Sequence, residues 1–91
     1  MAWFVLEQRY VDQQRRAEAR ARHLEYLRGL AADGRLVAAG PWVAGGGSLI
    51  VYDVADEQAA RALLAADPYT THGVTELVSV REWNPVIQRE W

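Results

Sequence analysis

The sequence predicts a single α+β domain of the split β-α-β, or ferredoxin-like, kind, in which four antiparallel strands carry two helices on one face. Three observations carry this. Apolar and polar residues group into six segments in the order β-α-β-β-α-β. The first and third strands, which this topology puts in the middle of the sheet, are the two with unbroken apolar runs, as strands covered on both faces have. The length of 91 residues falls in the range of one domain spanning 1–91, with no linker and no internal repeat.

Trp3, Phe4, Val5 and Leu6 open the first strand, over residues 3–10. Residues 12–32 contain no proline and no glycine before Gly29, and good helix formers dominate, so they predict a helix. At 3.6 residues per turn Ala17, Ala21, Leu24, Leu27, Leu30 and Ala31 share one broad arc, with Glu18, Glu25 and Tyr26 outside it. Asp33-Gly34 stops the helix and turns the chain. The second strand covers residues 36–39 and is closed by Gly40-Pro41; Gly45-Gly46-Gly47 then reads as a flexible hairpin loop into a third strand at 49–52. Asp56 caps a second helix through Ala59, Ala60, Leu63 and Leu64, which ends at Asp67 because Pro68 disfavours helical geometry in the residue before it. Residues 74–83 form the last strand, and residues 84–91 are a tail without an assigned element.

Composition narrows the classes of function. Half of the residues are apolar and four are Trp, more apolar surface than one small core hides, so self-association is expected. A net charge of −2, with no basic segment in an exposed aromatic or Gly-rich context, argues against nucleic acid. The absence of Cys excludes disulfides, thiolate nucleophiles and Cys-based metal sites, and with only two His no metal is expected. The N-terminal apolar run is short and meets Glu7, so neither a signal peptide nor a membrane span is expected, and a cytoplasmic location is the default.

His23 stands inside the apolar arc of the first helix, where both ring nitrogens need partners. It is either a structural imidazole bonded to backbone or a general acid–base, for which its ordinary pKa suits neutral pH. Asp67, before Pro68, is either a turn residue or a carboxylate in want of a cationic partner, since it lies at the unfavourable end of the helix dipole. The topology sets the two helices side by side, within reach of a contact between His23 and Asp67.

Arg20, His23, Tyr26-Leu27, Gly34, Gly40-Pro41, Ser48, Asp67-Pro68-Tyr69, Gly73, Arg81 and Trp83-Asn84-Pro85 stand in an order and spacing that resembles the YCII-related (YciI-like) domain family over nearly the whole chain. The resemblance implies a dimeric α+β barrel, two ferredoxin-like sheets paired into a homodimer or a higher homo-oligomer. It also implies a cavity with a His–Asp pair, carried onto His23 and Asp67, and cofactor-free chemistry such as elimination of chloride from a chlorinated hydroxyhydroquinone. Around that pair Ser48 would bind a substrate oxygen, Gly40 and Pro41 would shape the wall, Tyr69 would add a hydroxyl or an aromatic surface, and Arg20 would bind an anion or snorkel outward. Trp42 stands where the family suggests an aliphatic residue and is expected to narrow the pocket, whereas His72, in a loop, reads as solvated. The expected function is acid–base chemistry on a small hydroxylated aromatic or carbonyl compound, the alternative being a non-catalytic ligand-binding or accessory module with the same cavity.

Overall fold

A computed structural model describes residues 1–89, so that Glu90 and Trp91, the end of the tail and one of the four tryptophans, lie outside the described residues. The elements are β1 (Ala2–Tyr10), α1 (Gln13–Ala32), β2 (Leu36–Pro41), β3 (Gly47–Val54), α2 (Glu57–Ala66), α3 (Pro68–Thr71) and β4 (Thr75–Trp83). The strands form one sheet in the order β2-β3-β1-β4, every pairing antiparallel. This is the ferredoxin-like arrangement, with the two apolar strands at its centre. Residues 84–89 carry no helix or strand.

Strand alternation sorts the central pair into two faces. Phe4 and Leu6 of β1 and Ile50, Tyr52 and Val54 of β3 point to the helices and form the main core with Leu27 and Leu30 of α1 and Ala60 and Leu64 of α2. A smaller cluster of Ala19, Tyr69 and Val74, with Tyr10 against it, fills the other end. The opposite face of the sheet carries Trp3, Val5, Leu49 and Val51 and is covered by no element of the chain among the described residues.

Two local expectations change. Ala19, Leu27 and Leu30 are the buried residues of α1, with Arg16, His23 and Tyr26 beside them, while Ala17, Ala21 and Ala31 face solvent. Alanine is small enough for either environment and marks no face, whereas Tyr26 belongs inside because its hydroxyl donates to the Leu63 carbonyl at 2.7 Å. A short third helix, α3, follows Pro68, which sits at the first helical position where its missing N–H costs nothing. The glycine run closes the expected hairpin between β2 and β3. Gly46 accepts from Tyr10 N at 3.0 Å, Trp42 N donates to Gly47 at 2.9 Å, and Gly45 and Gly46 take the positive φ that glycine permits.

Candidate active site

Pro68 controls the placement of Asp67. By excluding helical geometry from the preceding residue it leaves Asp67 extended, at φ −66° and ψ 131°, as the end of α2 and the cap of α3. From there Oδ1 accepts the Tyr69 backbone N–H at 2.9 Å. The same oxygen lies 2.7 Å from His23 Nδ1, with Asp67 fully buried and the His23 side chain 12% exposed. The imidazole is held from a second direction by Tyr69, whose ring stacks on it at 3.6 Å with the planes 1° apart. Tyr69 is in turn met edge-on by Tyr10 at 6.3 Å. The unfavourable position of the carboxylate at the end of α2 is thus offset twice, by the cap bond to α3 and by the histidine.

Two further polar atoms are buried nearby. Asp67 Oδ2 and the Tyr52 hydroxyl have no hydrogen-bond partner among the described residues. Burial, and then the Asp67 charge, push the Tyr52 hydroxyl far above the ordinary phenol range, and the same causes in the same order raise Tyr26. The carboxylate is therefore flanked by phenols that stay neutral, and the imidazole of His23 is the ring within bonding distance of it.

His23 opens onto a cavity of about 110 Å³ between α1 and the sheet edge. Arg20, Gly40, Pro41, Ser48 and Tyr69 line it too, so six of the seven residues singled out from the sequence share one wall-to-wall space, with Asp67 directly behind the imidazole. Ser48 is 7% exposed and on the same face of β3 as Ile50. Sequence reasoning missed Tyr10 and Arg16. Arg16 lies 4.0 Å over the Tyr10 ring, and its signal was its position one helical turn before Arg20.

Trp42 is elsewhere, which corrects the expectation that it narrows this pocket. It lines a groove with Leu49 and Val51 on the open face of the sheet, because β2 carries it past the cavity and into the hairpin. His72 lies on the surface, where Nε2 is 2.9 Å from Glu18 Oε1, a contact that holds the Glu18 carboxyl below its usual range. Among the described residues no group of three or more His, Cys, Asp or Glu is placed to hold a metal ion, and no helix is long and apolar enough to cross a membrane.

The family model of the YCII-related domain matches residues 1–84. No curated protein matches the chain. Among solved structures, the 5-chloro-2-hydroxyhydroquinone dehydrochlorinase TftG from Burkholderia phenoliruptrix AC1100, in complex with 2,5-dihydroxybenzoquinone, is similar with a TM-score of 0.75 and 21% identity, covering 92% of this chain and 94% of that one. At that identity the likeness is one of fold.

Proposed function

This chain belongs to the YCII-related domain family, and we propose that it is a small cofactor-independent enzyme in which His23 moves a proton on a hydroxylated aromatic or related carbonyl compound. The observation that carries the reading is the 2.7 Å contact between His23 Nδ1 and Asp67 Oδ1 at the wall of a cavity. With its Nδ1 proton donated to Asp67, the neutral ring keeps its lone pair on Nε2. Nε2 then takes the proton of a substrate hydroxyl, the O–H electron pair moves through the ring to the carbon that bears the leaving group, and that carbon takes up the proton to become sp3. Loss of a proton from a second hydroxyl forms its C=O as the leaving group departs with its bonding pair. Asp67 stabilises the imidazolium that forms, and Tyr69 keeps the ring in plane. Isomerisation or hydrolysis would use the same nitrogen to carry a proton between substrate atoms or from water.

The same reading takes the protein as a homodimer joined through its open sheet faces, working in the cytoplasm. Chloride release from 5-chloro-2-hydroxyhydroquinone, the compound that names the similar dehydrochlorinase, is the direct assay. Turnover by the parent and none by a folded His23→Ala variant is the expected result. Ligand binding without turnover in either protein would transfer the reading to the non-catalytic binding module.

A further inference from the structure

Arg16, Arg20 and His23 follow one another at i, i+4 and i+7 on α1 and all face the cavity. By helix rise, Arg20 lies about 4.5 Å and Arg16 about 10.5 Å from His23 along the axis, a span that a substituted six-membered ring bridges. Arg16 is held in place before any ligand arrives, by the Tyr10 ring beneath it and by Gln13, whose Oε1 accepts from Nη1 at 3.3 Å. Arg9, Arg15, Arg35 and Arg61 each pair with a carboxylate, but among the described residues neither Arg16 nor Arg20 does. Two like charges one turn apart repel, and an anion between them relieves the repulsion. Ser48, 7% exposed, adds a hydroxyl to the same cavity.

We propose that Arg16 and Arg20 form an anion clamp, so that the ligand of this cavity carries a carboxylate or comparable oxyanion beside the group that His23 addresses. The inference rests on the reading of this cavity as the ligand site. Guanidinium matches such a group because its planar fork gives two parallel charge-assisted hydrogen bonds. The clamp fixes the ligand's far end and leaves the near end at the imidazole.

The test compares 4-hydroxybenzoate with 4-hydroxybenzyl alcohol, near-isosteric probes that differ in charge, by titration of the full chain followed in backbone NMR spectra. The benzoate is expected to bind about tenfold or more tightly, the worth of one charge-assisted contact. Arg16→Gln and Arg20→Gln should each remove most of that advantage and leave the alcohol unchanged, while Arg28→Gln, exposed and off the cavity, alters neither. Equal affinity of the two probes, an advantage that survives both substitutions, one lost equally in Arg28→Gln, or no perturbation of cavity resonances by either probe overturns the clamp. His23→Ala separates the two readings: the clamp requires it to keep the preference for the benzoate, whatever becomes of turnover.

Discussion

Asp67 serves two neighbours with one oxygen, since Oδ1 accepts from both the His23 ring and the Tyr69 backbone. Asp67→Ala therefore leaves two buried donors without a partner and should cost about 2–4 kcal/mol in denaturant unfolding. Asp67→Asn keeps an acceptor for the cap but not a charge for the imidazolium. It should stay folded and lose turnover by a factor on the order of a hundred to ten thousand. A variant with full activity would remove Asp67 from the mechanism. Tyr52 gives the contrasting case, a buried hydroxyl with no partner among the described residues. Tyr52→Phe should leave stability at pH 7 unchanged or raise it by about 1 kcal/mol. Its effect should appear at alkaline pH. The folded-state pKa of Tyr52 lies above the unfolded one, so its contribution is fully present below pH about 10 and is lost as pH rises through that value and beyond. Unfolding free energy of the parent should then fall by about 1.4 kcal/mol per pH unit more steeply than that of Tyr52→Phe. Parallel alkaline limbs would contradict the shift.

At the scale of elements, the sequence was legible where side chains carry strong signals. The apolar runs of β1 and β3 mark the sheet centre, and Asp56 caps α2 by accepting from Ala59 N, as the structure shows Asp12 to do for α1 from Arg15 N. The pair of His23 and Asp67 and most of the cavity wall were legible through their spacing and family pattern. What was hidden depends on features without a periodic signature. The alanines of α1 do not fix its rotation, Arg16 reads as one surface arginine among several until Tyr10 is beneath it, and four-residue α3 is too short to leave a pattern. The glycine hairpin was legible as a turn, but composition alone does not distinguish a glycine that is free from one that is crowded. Gly47 is crowded: a Cβ there would collide with the backbone oxygen of Gln8 across the β1–β3 ladder, whereas Gly45 has open space and only its positive φ to protect. Gly47→Ala should therefore cost more than about 2 kcal/mol, and Gly45→Ala about 1 kcal/mol. Thermal melts of the two variants can rank them, and the reverse order would mean that the hairpin yields easily at β3.

For the whole molecule, the open sheet face poses the largest energetic question. A domain of this size buries only about 60–65% of its unfolded surface, and its helices cover one side of the sheet. On the other side Val5, Leu49, Val51 and Trp83, with Arg81 and Glu82 at the β4 side, surround a depression of about 320 Å³, Trp83 packs on Trp3 at 5.9 Å, and Trp42 adds its ring at the β2 edge. Trp42 and Trp83 are 43% and 50% exposed. A largely apolar face of this kind on a chain of 10.2 kDa is costly to leave in water, and a second copy supplies a surface of the same shape and chemistry. Light scattering at micromolar concentration should accordingly report about twice the chain mass, since pairing two sheet faces buries an area in the range of stable interfaces. Leu49→Glu places a charge in the middle of that face without touching the helix-side core, because Leu49 and Ile50 point to opposite sides of β3. It should shift the protein to monomer while far-UV dichroism keeps the α+β signature. The cavity of His23 lies on the helix side, so the monomeric variant should still bind 4-hydroxybenzoate. A parent chain that is monomeric at these concentrations, or a Leu49→Glu variant that remains dimeric, would remove the sheet face from the assembly.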